Sequence, residues 1–387
     1  MKKLKIFFIN LSILIIIINL VKNFLKLVNY CKLLIKMNPE YEYEKYVTTK
    51  ENVMETINKY GVAIIPNVLN SEECEEMFNG MWDTLETISQ TWDVPINRNN
   101  PESWVNMKKL FLKHSMLIQQ WSIGHAQFIW NLRQNPKCVE VFSNIWKCKQ
   151  EDLLTSFDGA SFHMPSEITK TGWRKKLWYH SDQSFVDKDF KCVQSWVTAL
   201  DVNEGDGTLT FYEGSNKYHS EFGEKFGVID TSNWYQMDDD EKLGFYKEKG
   251  CVAKCIKCPK GSMVLWDSRT IHCGLEPLKG RKTPNFRCVA YLCYMPRVLA
   301  KESQIIKKIK AFEEKRMTTH WPCNIKLFPK IPRTYGAELP EITELPTPII
   351  NELGRRLVGY SNMSTIKPKI KTKKNIILII EDDDSKE

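Results

Sequence analysis

The sequence predicts a mainly β protein with flanking helices (an α+β fold), built around an antiparallel sandwich or barrel. From residue 151 onward, short segments rich in β-branched and aromatic residues recur between Gly, Pro, Asn and Asp. These segments do not alternate with helical patterns, which argues against a parallel βαβ sheet. The chain has 387 residues, is 42% hydrophobic and contains twelve Trp and eighteen Phe, enough for a sizeable core.

The N-terminal segment, residues 1–36, differs from the rest of the chain. It holds seven Lys and no acidic residue, so the net charge of +8 falls to +1 for the remaining residues. That near-neutral body argues against a nucleic-acid partner. Residues 6–21 are almost wholly apolar, but sixteen residues fall short of the ~20 that span a bilayer. Three interpretations stay open: a membrane anchor, an interfacial amphipathic helix, and an extension of a chain that starts at Met37.

Residues 37–150 are predicted to form the helical N-terminal half of the main folded domain. Apolar residues at helical spacing indicate helices over 50–64 and 71–90, and further helices within 104–148. Ser71, followed by Glu73, is the expected start of the second helix.

Residues 151–300 are predicted to form the β core. The expected strands are 152–163, 176–182, 191–201, 207–213, 251–257, 262–273 and 287–296. Residues 218–250 have the composition of a polar insertion with one or two helices. Within residues 301–360, a helix over 301–316 precedes a Pro-rich covering stretch, and residues 361–387 form a charged tail.

The most informative motif is His180-Ser181-Asp182, within WYHSDQS. Side chains at i and i+2 of a strand lie on one face, so His180 and Asp182 are able to bind one metal ion. His272, in SMVLWDSRTIHCG, is the candidate third ligand. Two His and one carboxylate form the facial triad of non-haem Fe(II) oxygenases. Arg269 is excluded on this argument, because three positions from His272 in a continuous strand it faces away.

The order of motifs adds a family resemblance. HSDQS is followed by GDGTLTFYEGSNKYH, WDSRTIH and NFRCVAYLCYM. Residues 150–300 thereby resemble the phytanoyl-CoA dioxygenase-like group of Fe(II)/2-oxoglutarate-dependent oxygenases. The resemblance implies a double-stranded β-helix (jelly-roll) core and makes His180, Asp182 and His272 the catalytic iron ligands. It also implies hydroxylation of a C–H bond with release of succinate and CO2, with ascorbate as a candidate reductant. Because Asp182 is present, hydroxylation is favoured over halogenation.

The resemblance further implies an Arg that binds the far carboxylate of 2-oxoglutarate. The candidates are Arg287, which opens the strand RCVAYLCYM, and Arg281, in the turn-rich loop PLKGRKTPN. We choose Arg287, since a buried carboxylate needs a bidentate partner held inside the sheet. Arg281 is expected to be solvated. Gln194, in CVQSWVTAL, is the second candidate for binding the co-substrate.

Other polar residues have ordinary explanations. Asp158 also recurs in the resemblance, but a residue before Gly159 is typical of a turn. His163 and His219 are expected at the surface or in loops. The twelve Cys mostly lie in apolar runs, which indicates free thiols in a reducing compartment, where the catalytic domain would be cytosolic. Cys251, Cys255 and Cys258 could be zinc ligands, although no fourth ligand is apparent.

The substrate is predicted to be a small or lipid-like molecule that the sequence does not identify. The alternative to an enzyme is a catalytically silent jelly-roll module that binds metal or ligand and is attached to a membrane. Such a module would be expected to lack a ligand or the Arg, and this chain retains all of them.

Overall fold

A computed structural model of the chain describes residues 39–111, 116–334, 336 and 338–361, together with Lys22. The apolar residues 6–21 and the tail beyond Ser361 lie outside these described residues. No helix in the described part has both the length and the apolar character needed to cross a membrane.

The described residues form fourteen short strands, which lie between Glu40 and Pro296. They are β1 (Glu40–Glu42), β2 (Val62–Ile65), β3 (Leu117–Ile118), β4 (Leu153–Thr155), β5 (Ala160–His163), β6 (His180–Ser181), β7 (Val193–Thr198), β8 (Thr208–Tyr212), β9 (Tyr235–Gln236), β10 (Ala253–Ile256), β11 (Met263–Asp267), β12 (His272–Leu275), β13 (Arg287–Leu292) and β14 (Tyr294–Pro296).

Twelve of these strands form two six-stranded sheets. Sheet I has the order β1-β10-β8-β12-β6-β9, and sheet II has the order β2-β11-β7-β13-β5-β3. Every pair is antiparallel except β1 with β10. The chain alternates between the sheets from β6 to β8 and from β10 to β13. The strand pattern predicted an antiparallel sandwich or barrel, and this alternation confirms the double-stranded β-helix that the family resemblance implied.

The two sheets pack face to face. Phe211 of sheet I lies in one apolar cluster with Trp196, Val264 and Val289 of sheet II, all at most 1% exposed. Burial of this kind removes large apolar surfaces from water and is the main source of stability for the sandwich.

The helices flank the sheets. They are α1 (Val53–Tyr60), α2 (Ser71–Ile88), α3 (Gln127–Arg133), α4 (Pro136–Trp146), α5 (Ser166–Thr169), α6 (His219–Lys225), α7 (Asp240–Glu248), α8 (Glu302–Glu313) and α9 (Glu352–Val358). Short 3-10 helices span Glu44–Tyr46, Pro101–Leu110, Ile123–His125, Gln150–Asp152, Ser215–Tyr218 and Arg297–Leu299. Asn70 and Glu73 form a capping box at the start of α2, next to the predicted entry at Ser71.

Several predicted elements differ from the structure. The helix predicted over 50–64 ends at Tyr60, because Gly61 turns the chain at φ +82° and Val62–Ile65 is a strand of sheet II. A short, fully buried apolar run has no periodicity that separates strand from helix. Residues 101–110 are a 3-10 helix, so the region 37–150 is less regularly helical than predicted. The strands predicted over 152–163, 262–273 and 287–296 are each broken in two, and in each case the two halves belong to different sheets.

Candidate functional site

Sheet pairing brings the two candidate histidine ligands together. His180 of β6 is the direct antiparallel partner of His272 of β12, and their ring centroids lie 4.5 Å apart. Asp182 follows β6, where its backbone N–H donates to the Ser268 carbonyl. Asp182 Oδ1 is 3.5 Å from His180 Nε2, and Asp182 Oδ2 is 3.4 Å from His272 Nε2. Among the described residues, these three side chains form the one group of three His, Cys, Asp or Glu ligand atoms within 4.8 Å of one another.

The backbone orients both imidazoles. His180 Nδ1 lies 3.1 Å from the Trp178 carbonyl, and His272 Nδ1 lies 2.8 Å from the Thr270 carbonyl. Each Nδ1–H therefore donates to a carbonyl, which leaves the Nε2 lone pair directed at the shared space. Histidine ligands of metal ions have such hydrogen bonds as a rule. The Trp178 ring stacks on His180 at 4.7 Å and limits its rotation.

The protonation states also suit a divalent cation. Burial alone would raise the pKa of the Asp182 carboxyl, but the neighbouring imidazoles of His180 and His320 hold it well below the ordinary value. Burial, reinforced by His180, lowers the pKa of His272. A carboxylate and a neutral imidazole are the forms that ligate metal. The donor set, the burial and the ring orientation thus fit Fe(II) bound by two His and one carboxylate.

Gln194 lies next to this group, and its Nε2 donates to Asp182 Oδ2 at 2.9 Å. Gln194 is on β7 in sheet II, so this hydrogen bond joins the two sheets across the site. Its contact is typical of residues that hold a ligating carboxylate in place. Its predicted contact with the co-substrate stays a prediction.

A cavity of about 600 Å³ opens between the sheets at the His180, Asp182 and His272 group. Cavities of this size hold drug-sized ligands. Aromatic side chains form much of its wall, namely Trp178, Trp196, Trp234, Trp266, Tyr291, Trp321 and Phe328. The same cavity is lined by Gln194 and Arg287, so every predicted site residue faces one space.

Arg287 is a buried cation on this cavity wall. It is 7% exposed, its Nε donates to Ser161 Oγ at 2.7 Å, and its Nη1 donates to the Gly207 carbonyl at 2.9 Å. The guanidinium also lies over the Trp196 ring at 5.4 Å. No carboxylate of the described residues lies within ion-pair distance of it. A buried guanidinium without a counter-ion fits a ligand carboxylate, such as the far end of 2-oxoglutarate.

The expectation that Arg281 is solvated is wrong. Its side chain is 2% exposed and makes a bidentate pair with Glu167, with Nη2–Oε2 at 2.7 Å. Arg281 Nη1 also lies 2.7 Å from Asp206 Oδ1. The turn-rich loop therefore folds inward onto two carboxylates from distant segments. Two carboxylates already neutralise Arg281, and it does not line the cavity.

The exclusion of Arg269 rested on a wrong premise, because β11 ends at Asp267 and no continuous strand reaches His272. Arg269 still stays away from the metal ligands, since it pairs with the buried Asp267 at 2.7 Å. Trp266 lies 5.5 Å from the His272 ring, but it faces His272 from the opposite sheet.

His163 and His219, the two histidines expected at the surface or in loops, are both buried. His163 is 5% exposed, is the antiparallel partner of Arg287 on β5, and lines a separate cavity of about 220 Å³. His219 is 1% exposed and stacks on Phe185 at 4.4 Å. Asp158 makes the expected turn contact, since its Oδ1 accepts from Gly159 N–H at 2.7 Å, but it also lies on the wall of the main cavity.

Sequence reasoning missed two residues next to Arg287. Ser161 binds its guanidinium, and Tyr291 lines the cavity four positions along β13. Strand alternation could have identified Tyr291, because residues i and i+4 of a strand share a face. Ser161 depends on the pairing of β5 with β13, which the sequence does not reveal.

The cysteine cluster does not resemble a zinc site in the described residues. Cys251, Cys255 and Cys258 are buried, free and not within ligand distance as a group. Burial raises the pKa of the Cys255 and Cys258 thiols to about 12, which disfavours the thiolate that zinc requires.

Comparison with known proteins agrees with this geometry. The phytanoyl-CoA dioxygenase (PhyH) family model matches residues 57–276, more than half of the chain. "Ava biosynthesis cluster protein O" of Aspergillus versicolor is 27% identical over 210 residues, which are 52% of this chain and 65% of that protein. "Putative phytanoyl-CoA dioxygenase" of Dictyostelium discoideum is 25% identical over 261 residues, 57% of this chain and 69% of that one. The chain thus spans about two thirds of the length of each relative.

A solved structure, the non-heme alpha ketoglutarate dependent carbocyclase SnoK from nogalamycin biosynthesis, is similar at 14% identity and a TM-score of 0.43. That match covers 64% of this chain and 86% of SnoK, and it is too distant to bear on function. The family match stands without it: over residues 57–276 the chain belongs to the phytanoyl-CoA dioxygenase family.

Proposed function

We propose that this protein is an Fe(II)- and 2-oxoglutarate-dependent dioxygenase that hydroxylates a C–H bond of a small organic molecule. One observation carries the proposal. One cavity between the sheets is lined by the His180, Asp182 and His272 group and by Arg287, a cation without a carboxylate partner among the described residues. An enzyme of this kind needs both the metal ligands and the cation that binds the co-substrate, whereas a purely structural role would need neither.

The residues have separate tasks in this proposal. His180, Asp182 and His272 would hold the iron, while Gln194 keeps the Asp182 carboxylate in its orientation. Arg287, held by Ser161 and Gly207, would bind the far carboxylate of 2-oxoglutarate. When bound, iron and 2-oxoglutarate supply the oxidising power to break a C–H bond with dioxygen, releasing succinate and CO2. The aromatic wall excludes water from the reacting atoms.

The test combines an assay of turnover with a titration that measures the affinity for 2-oxoglutarate. The full chain is supplied with Fe(II), ascorbate and 2-oxoglutarate, and succinate is quantified across a panel of small molecules. We expect succinate to form above the protein-free control and to increase with a substrate. The rival, a silent metal-binding module, predicts Fe(II) binding with no affinity for 2-oxoglutarate. That result would refute the proposal, because Arg287 would then have no ligand.

A further inference from the structure

The cavity wall contains a buried carboxylate, Asp158, that the proposed reaction does not use. Asp158 is 6% exposed and lies on the wall of the main cavity. Its Oδ1 accepts the Gly159 N–H, and Gln119, also on the wall, hydrogen-bonds to the carboxylate. A carboxylate offers about four acceptor positions, so these two donors leave capacity for a ligand.

Within the described part of the chain this carboxylate has no ion-pair partner, although the nearby charge of Arg133 favours its ionised form. The described residues place no Lys, Arg or His nitrogen within ion-pair distance of it. Arg133 is the nearest candidate, but its Nη2 donates to the backbone carbonyl of Asp158 at 2.6 Å, and its Nη1 donates to the Gly124 carbonyl. Arg133 does not line the cavity. Burial raises the pKa of the Asp158 carboxyl to about 6, so it is still mostly ionised at pH 7.5.

We propose that Asp158 binds a cationic group of the substrate, so that the substrate class is a positively charged amine with an apolar body. This inference rests on the proposed function and names the substrate for the same site. Ionising a buried carboxylate is costly, and the nearby Arg133 charge offsets that cost only in part, so a positive group of the ligand would complete the site. Arg287 has the opposite sign and is already assigned to the anionic co-substrate.

The aromatic wall favours the same class of ligand. Trp178, Trp234 and Trp321 lie on the cavity, and indole faces attract ammonium groups through cation–π contacts. Two cations, Lys326 and Arg333, also line the cavity, but both are solvent-exposed. Water and salt screen exposed charges far more than buried ones, so these residues oppose a cationic ligand only weakly.

The experiment uses three aromatic probes that differ in charge. Benzyltrimethylammonium is a permanent cation that cannot ligate iron, benzyl alcohol is neutral, and benzoate is an anion. Each is titrated calorimetrically into the full chain with Fe(II) and saturating 2-oxoglutarate, without oxygen, at pH 7.5. We expect the cation to bind about tenfold more tightly than either other probe, the size of one charge-assisted contact.

Variants then locate the effect. Asp158→Asn keeps an oxygen for the Gly159 N–H, and we expect it to weaken binding of the cation about tenfold while benzyl alcohol changes less than twofold. Glu276→Gln removes another carboxylate of the same wall and should leave the cation's affinity within twofold. If Asp158→Asn fails to fold, the ranking of the three probes in the parent protein still decides.

Several results would overturn the inference. Benzoate binding best would contradict a cationic substrate class, and equal binding of the cation and the alcohol would mean that charge is not recognised. An unchanged cation affinity in Asp158→Asn would remove Asp158 from the site. A separate titration with 2-oxoglutarate tests the proposed function, because a parent protein that binds the cation but not 2-oxoglutarate refutes only that function.

Discussion

Arg281 lies in the loop between β12 and β13, and Arg287 is the first residue of β13, six positions later. Both side chains are buried, yet their surroundings differ. Arg281 faces away from the cavity and is neutralised by Glu167 and Asp206. Arg287 faces the cavity and is held by a hydroxyl and a carbonyl, with no carboxylate in ion-pair range among the described residues. The difference teaches that burial alone does not identify a ligand-binding cation. What identifies it is burial on a cavity wall without a counter-ion.

The largest effect is expected at the three metal ligands, which line the same cavity as Arg287. Asp182→Ala should abolish tight Fe(II) binding, since it removes one of three protein ligands. Equilibrium dialysis with metal analysis measures this, and circular dichroism verifies the fold. Glu276→Gln, a carboxylate on the same wall but outside the ligand group, should bind Fe(II) as the parent does. Equal iron binding by Asp182→Ala would disprove the ligand assignment.

The second prediction tests Arg287 directly. Arg287→Ala should weaken 2-oxoglutarate binding at least a hundredfold, because losing one partner of a buried charge pair costs roughly 3–5 kcal/mol. Fe(II) affinity should change little, since the ligands are separate side chains. Arg287→Lys should restore only part of the binding, as an ammonium cannot make paired contacts. Titration calorimetry under anaerobic conditions measures both constants, and a change below threefold in Arg287→Ala would place the co-substrate elsewhere.

The third prediction concerns Arg281, the neutralised member of the pair. Arg281→Ala should lower the free energy of unfolding by about 3 kcal/mol, because it leaves Asp206 buried and unpaired. The value lies at the low end of the usual range, since Glu167 is 26% exposed and regains water. Urea denaturation measures it. The 2-oxoglutarate constant of the folded variant should stay within about threefold of the parent's, and a hundredfold increase would reverse the roles of the two arginines.

Sequence and structure agree where one local pattern decides the outcome. The spacing of His180 and Asp182 predicted a shared ligand site, and the distal His272 was identified from its motif. Arg287 was correctly expected at the start of a strand, which the structure places at Arg287–Leu292.

Sequence reasoning failed where partners come from distant segments. The environment of Arg281 depends on Glu167 and Asp206, which lie 114 and 75 residues away. Turn residues around Arg281 indicate a loop, but they do not show which way the loop folds. Gln194 likewise binds Asp182 because β7 of sheet II faces β6 of sheet I, and that is a property of the packed sandwich.

Lys308 provides a further comparison, because among the described residues it is a buried cation that has no carboxylate partner and does not line the cavity. It is fully buried on α8, donates to the Thr155 carbonyl, and lies 4.0 Å from the Phe157 ring centroid. Burial lowers its pKa to about 7. If an unneutralised buried cation always indicated a ligand, Lys308 would need one. The cavity criterion instead predicts that Lys308 affects stability alone.

The direction in which pH changes the free energy of unfolding follows from proton binding at Lys308. Between pH 7 and about 10.4, the unfolded chain keeps the Lys308 proton while the folded protein has lost it, so the free energy of unfolding rises with pH. Over this range the rise should reach a few kcal/mol, at about 1.4 kcal/mol for each unit of pKa difference. Lys308→Met should lack this rise and be more stable than the parent at pH 7, where the parent must bury a partly charged amine. Urea denaturation of both proteins at pH 7 and pH 9 measures the two slopes, and Fe(II) and 2-oxoglutarate binding should not change. Parallel slopes would mean that Lys308 stays protonated in the folded protein, with a partner beyond the described residues.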